Sequence, residues 1–292
     1  MQEEDWIEIY ASSRRGDCDE RALVLMSVGI PVEVRQARGL CILLTAPQAA
    51  DAAALQLAAY VRENRPKPPP LRVPVHPDAW MGCALYAVVL VGIAHAAAAA
   101  VFGVDWFAAG MLTGDTVRAG ALWRVVTALT LHADSAHLLS NLGFGITFGY
   151  LLGQLIGPGI AWAGILASGA AGNLLDAALM PVSHRALGAS TAVFATLGML
   201  AGYAWGRPAL GRRGRWAPLI GAIALLALTG SGGERTDVLG HLTGFAAGTA
   251  LGAWFARLST PLLERPRLQQ SAAAATLAVL AAAWALALSS TL

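Results

Sequence analysis

Charge is scarce in this chain. Asp, Glu, Lys and Arg make up 13% of its 292 residues, while 56% are hydrophobic. That balance excludes an ordinary soluble enzyme. Lysine is nearly absent: Lys67 stands alone among basic residues that are otherwise arginine. A net charge of +2 gives no basic excess for nucleic acid, and no nucleic-acid partner is expected. Cysteine is also rare. Cys18, Cys41 and Cys83 form no CxxC pair, and their odd number argues against a disulfide framework. They read as small apolar filler. The start, "MQEEDWIE", lacks a basic n-region and an apolar h-region, so no cleaved signal peptide is expected. HExxH is missing, which removes the usual helical zinc-protease motif.

What is abundant is long apolar sequence. Seven stretches approach the roughly 20 residues that cross a bilayer. They fall near 80–101, 137–155, 160–179, 190–205, 216–228, 238–255 and 272–288. The fourth and fifth are short. Basic residues near span ends collect on the cytoplasmic side. With the N-terminus inside, ten Lys and Arg flank the inner ends, among them Arg65, Lys67, Arg72, Arg207 and Arg215. Four face outside: Arg118, Arg124, Arg185 and Arg235. The expected protein is therefore multi-pass, with a cytoplasmic N-terminus and, after seven crossings, an external C-terminus. Its richness in Ala, Gly and Arg suggests a GC-rich bacterial source and an inner-membrane location.

Residues 1–65 are more polar and read as β-α-β-β-α, a small soluble α+β module loosely similar to ferredoxin-like domains. Its first helix is expected to have Asp17 as N-cap, with Glu20 completing a capping box, and to stop at Gly29. Residues 66–79 are proline-rich and read as an extended linker. Residues 80–257 hold six spans, and 258–292 a cytoplasmic loop and the seventh span. No partner for the N-terminal module is evident.

With the N-terminus inside, spans two, four and six share an outer start. Span four begins at Ser190, span two starts at "HADSAHLLSN", with His132 just before it, and span six starts "DVLGHLTGFAAG". Ser190, His137, Asn141 and His241 therefore fall at similar depths. A serine hydroxyl needs a base to become a nucleophile, and His241 titrates in the right range. The start of a helix leaves free amides for an oxyanion. His137 and Asn141, at i and i+4, share one helix face. Gly240, Gly244, Gly248 and Gly252 form a stripe in span six, and Gly198 and Gly202 repeat the spacing in span four. Such stripes let membrane helices approach closely. Asn173 and Asp176, in span three, read as residues near the outer interface.

These residues resemble a rhomboid intramembrane serine protease. The resemblance covers roughly 80–255: "WR" at Trp123 and Arg124, HxxxxHxxxN at His132, His137 and Asn141, GxSx at Gly188 and Ser190, and HxxGxxxG from His241. It implies a six-helix rhomboid-like core, with the seventh helix as a C-terminal addition. It implies Ser190 as nucleophile and His241 as general base, a dyad without an acid. His137, Asn141 and the Ser190 amide would form the oxyanion hole. His132, Gly188, Phe194, Trp123 and Arg124 would support the site. The implied substrates are transmembrane protein segments cut near the outer membrane face, in the lipid bilayer, with no cofactor and no metal. Four positions depart from the family pattern: Thr191, Phe194, Ala121 and Gly240. Other readings are a catalytically silent scaffold that binds membrane clients, a metal-dependent hydrolase using His132, Asp134, His137 and His241, and a transporter. The retained Ser190 and His241 weigh against the scaffold.

Overall fold

A computed structural model describes residues 6–37, 39–64, 75–207, 211–230 and 237–290, with backbone alone at 211–213 and 229–230. Most of the expected linker, and Arg65, Lys67, Arg72 and Arg235, lie outside the described residues. The chain divides into two compact units, Met1–Leu71 and Arg72–Leu292.

In the first unit the order is β1 (Ile7–Ser12), α1 (Arg15–Ser27), β2 (Val32–Ala37), β3 (Leu40–Thr45) and α2 (Ala50–Glu63), with a short 3-10 turn before α2. The sheet order is β1-β3-β2, and β3 pairs antiparallel with both neighbours. This is a split β-α-β arrangement followed by a helix. Leu25, Leu43, Ala53 and Leu57 fill the space between sheet and helices. Helix α1 is capped three residues earlier than its charge pattern suggests. Arg14, not Asp17, is the cap. Ser12 explains the shift: its hydroxyl accepts from the Arg14 amide at 3.1 Å and donates to Asp17 at 2.9 Å. Glu20 instead meets the Tyr60 hydroxyl on α2. The helix does end at Gly29, where φ is +78°. Ile30 N–H donates to Leu25 O at 3.0 Å and Gly29 N–H to Met26 O at 3.0 Å, the paired bonds of a Schellman stop. All three cysteines are free and buried. Burial pushes the Cys18 thiol up to about 11, with the neighbouring Cys41 side chain acting the same way, and Cys18 Sγ donates to Cys41 O at 3.1 Å.

The second unit is helical. Its helices are α3 (Ala79–Ala98), α4 (Trp106–Gly110), α5 (Gly114–Arg118), α6 (Arg124–Thr127), α7 (Ser135–Ile156), α8 (Pro158–Leu179), α9 (Ser190–Gly206), α10 (Gly211–Gly230), α11 (Val238–Phe255), α12 (Thr260–Leu263) and α13 (Pro266–Ser289). A two-residue ladder joins β4 (Leu112–Thr113) to β5 (Arg185–Ala186). A helix occupies each of the seven apolar stretches. Among the described residues, α3, α7 and α13 are long and apolar enough to cross a membrane by length and composition. Helices α8, α9 and α11 carry Gly, Ser, Thr, Asn, Asp and His on faces packed inside the bundle, while α8 and α11 keep an exposed apolar side at Leu174, Leu175, Leu242 and Trp254.

Helix α9 is the centre. Every residue from Thr191 to Ala204 is buried. It packs on α11 through glycine in both directions. A Cβ on Gly244, Gly248 or Gly252 would run into the carbonyl oxygens of Thr191, Ala195 and Met199. One on Gly198 or Gly202 would strike those of Phe245 and Thr249. Backbone therefore lies against backbone, the contact that small-residue spacing permits. Helix α8 joins the same junction: the Thr243 hydroxyl donates to Gly172 O at 2.9 Å. Helix α13 is held at both ends. Gln269 bonds Ile156 O, Leu263 O and Ile160 N–H at 2.6–3.0 Å, and Trp284 Nε1 donates to Thr130 Oγ1 at 3.1 Å.

Gly248→Ala should destabilise the bundle by about 1–3 kcal/mol, the usual cost of overpacking. Gly92→Ala on α3, where an added Cβ meets nothing within 4 Å, should be neutral or slightly stabilising. Thermal melts of the two variants in one detergent check the contrast.

Candidate active site

The N-terminal ends of α7, α9 and α11 converge on one cavity of about 900 Å³. Three turns bring them there. Asp134 caps α7 by accepting from His137 N–H at 2.8 Å. Asp237 caps α11 by accepting from Gly240 N–H at 2.8 Å. Helix α9 has no side-chain cap, so its first amides stay open.

The turn before Ser190 is fixed from several sides. Gly188 N–H donates to Ala128 O at 2.9 Å. Ala189 N–H donates to His132 Nε2 at 3.4 Å. Gly188 has φ of +124°, a backbone that side chains resist. Its missing Cβ also makes room for the His137 imidazole, whose Cε1 and Nε2 would lie 2.6–2.7 Å from an added methyl. His132 stands edge-on to His137, with ring centroids 5.0 Å apart.

Ser190, His137, Asn141, Phe194 and His241 all line the cavity. His241 is 4% exposed and stacks on Phe194 at 4.4 Å between centroids and 16° between planes. Its Nδ1 is buried without a hydrogen-bond partner among the described residues. No direct Ser190–His241 hydrogen bond is formed among the described residues; such bonds often tighten only around substrate. Asn141 Nδ2 donates to His137 O at 3.0 Å, which leaves its second N–H for another acceptor. Phe144, Val193 and Leu225 supply an apolar wall.

Other expected residues sit elsewhere. His132 is behind the cavity, holding the turn. Trp123 packs between two apolar clusters, and Arg124 Nη1 donates to Met111 O at 2.7 Å. These two brace the segment of α4 to α6 rather than line the cavity. Thr191 does not narrow the site: its methyl fills the space against Gly172 and Gly244. The metal set His132, Asp134, His137 and His241 is not gathered: His132 Nε2 and an Asp134 oxygen are taken by backbone amides. Asn173 and Asp176 are buried rather than at an interface. Asn173 donates to Val125 O at 2.9 Å. Asp176 faces His184 and Asp237 beside the cavity. Sequence reasoning missed that grouping; the one available signal was a carboxylate inside an apolar span.

A family profile described as the Rhomboid domain matches residues 119–258. Over these residues the chain matches the rhomboid family. Three curated relatives from Toxoplasma gondii are similar. Rhomboid-like protease 2 is 30% identical over 141 residues, 48% of this chain and 50% of the relative. Rhomboid-like protease 3 is 34% identical over 137 residues, 46% of this chain and 52% of the relative. Rhomboid-like protease 1 is 28% identical over 174 residues, 57% of each. The chain thus spans about half the length of the curated relatives it matches. Family and apolar helices together make it a multi-pass membrane protein.

Gly188→Ala should cost about 1–3 kcal/mol from backbone strain and displace the His137 ring. A thermal melt and the histidine ring resonances of labelled protein check both effects. Phe194→Tyr should retain the stack on His241 and leave those resonances near their wild-type positions.

Proposed function

We propose that this rhomboid-family protein is an intramembrane serine endopeptidase that cuts transmembrane segments of other proteins near the outer membrane face. One observation carries the reading. Ser190 and His241 come from different helices, and both open onto one cavity with free helix amides at its floor. The relatives' names as proteases point the same way. The six-plus-one arrangement of spans, with the N-terminus inside, belongs to this proposal. So does a bacterial inner-membrane location, which rests on composition; the curated relatives are from Toxoplasma gondii and lend it no support.

The chemistry is acyl transfer. His241 takes the hydroxyl proton as Ser190 Oγ bonds to the scissile carbonyl carbon. The negative oxygen that forms meets the Ser190 amide, His137 and the free N–H of Asn141. His241 then returns the proton to the leaving amine as the C–N bond breaks. Water, deprotonated by His241, cleaves the resulting ester and restores Ser190. The unpartnered Nδ1 of His241 fits a dyad with no acid. Phe194 holds the ring in plane. The apolar wall suits a membrane segment, and the wet end of the cavity supplies the water.

Ser190→Ala and His241→Ala should each lower cleavage of a transmembrane test substrate in liposomes by on the order of 10⁴-fold or more. Matched melts would show that both variants fold. Wild type should also react with a fluorophosphonate probe, and Ser190→Ala should not. Full cleavage by Ser190→Ala would overturn the serine mechanism. Absence of both cleavage and probe labelling in folded wild type would favour a silent client-binding scaffold.

A further inference from the structure

Beside the cavity three side chains meet that the hydrolytic reading does not use. Asp176 lies near the end of α8, His184 in the loop leading to α9, and Asp237 at the cap of α11. Their ligand atoms all lie within 4.8 Å of one another. His184 Nε2 is 2.9 Å from Asp176 Oδ2 and 3.5 Å from Asp237 Oδ2. Yet neither oxygen of Asp176 makes a hydrogen bond, nor does His184 Nε2. Asp176 is 0% exposed. Arg118, which also meets this end of α8, donates to the carbonyls of Ala177 and Met180 instead.

A buried carboxylate without a donor is costly. Two carboxylates around one imidazole nitrogen call for a proton or a cation among them. A proton would serve one pair of these atoms only, and neither N–O pair meets hydrogen-bond geometry. A cation between the three atoms would serve all of them. One imidazole and two carboxylates form a zinc-type donor set. Calcium takes six to eight oxygens, more than are present. Tetrahedral zinc with bonds of about 2.0–2.2 Å places its ligand atoms roughly 3.3–3.6 Å apart, near the two His184–carboxylate separations of 2.9 and 3.5 Å, and small side-chain rotations would bring the two carboxylates, within 4.8 Å of each other, to that spacing. The side chains of His184 and Asp237 are 14% and 19% exposed and line the cavity, which provides a route in and an open fourth position.

We propose that Asp176, His184 and Asp237 bind a zinc-type divalent cation that fastens the loop before Ser190 to the helix carrying His241. His184 precedes Ser190 by six residues, and Asp237 precedes His241 by four. The surroundings hold the ligands ready. Gly114 N–H donates to His184 O at 3.0 Å, and the β4–β5 ladder pairs Thr113 with the next residue, Arg185. Asp237 uses Oδ1 to cap α11, which leaves Oδ2 for the ion. Gly240, one of the departures from the family pattern, has no Cβ to obstruct the Asp237 carboxylate folded over it. His241 is not a ligand, so binding itself does not depend on the protease reading; the fastening role does.

The test is zinc binding by the purified full chain, stripped with chelator, dialysed and titrated with zinc chloride by calorimetry. Bound metal is counted by elemental analysis, and melting is followed in parallel. Wild type and Ser190→Ala should each take about one zinc per chain and melt at a higher temperature with it. His184→Ala and Asp176→Asn should bind at least about tenfold more weakly, since even outer-shell losses cost that much, and should lose the rise. His184→Gln, close in size, covers the case in which Asp176→Asn does not fold. Wild type that takes up no zinc, or His184→Ala and His184→Gln that bind as tightly as wild type, would overturn the site. Because Ser190→Ala is expected to bind normally, failure of the protease reading leaves this result unaffected.

Discussion

The membrane unit depends on one contact, the backbone-to-backbone packing of α9 against α11. Lipid tails are as apolar as leucine, so helices inside a bilayer gain little from hiding apolar surface and associate through close packing. Here that packing is reciprocal. Glycines of α11 lie on carbonyls of α9, and glycines of α9 lie on carbonyls of α11. The side chain of Thr191 fills the remaining gap where Gly172 of α8 approaches Gly244. Ser190 sits one residue before this junction and His241 three residues before Gly244, so both inherit its placement.

The second constraint is the turn into α9. It needs a glycine with positive φ at 188, an amide bond to Ala128, and His132 under Ala189. The segment carrying Ala128 is pinned in turn. Arg124 holds Met111, Thr127 donates to Gly110 O at 2.7 Å, and Trp284 of α13 donates to Thr130. Residues of the "WR" pair thus act at a distance, by bracing the loop that braces the turn. Polar groups in an apolar setting are expensive unless satisfied, and most of those near the cavity have a named partner. Asp176 and His184 are joined by an ion-pair distance without a hydrogen bond, and His241 Nδ1 is also without a partner among the described residues.

Much of this was legible in the chain. Apolar runs located α3, α7 to α11 and α13, because an apolar run satisfies its own backbone locally as a helix. Glycine spacing pointed to the α9–α11 contact. The order of Ser190, His137, Asn141 and His241 along alternate spans placed them at one end of the bundle. The start of α1 lies three residues before the capping-box position, since Ser12, outside the helix, engages both Arg14 and Asp17.

What sequence alone determined was periodic and local: where helices run, which faces carry glycine, and which residue types stand at helix starts. Tertiary structure decided what depends on distance between segments far apart in the chain. It set Trp123 and Arg124 as braces rather than lining, turned Thr191 into a packing residue, and buried Asp176 against His184 and Asp237. No spacing encodes that last meeting, because three separate connections must fold before those atoms approach. The physical reason is general: helical propensity and hydropathy act over a few residues, whereas a buried charge acquires its partners only from whatever the completed packing brings beside it.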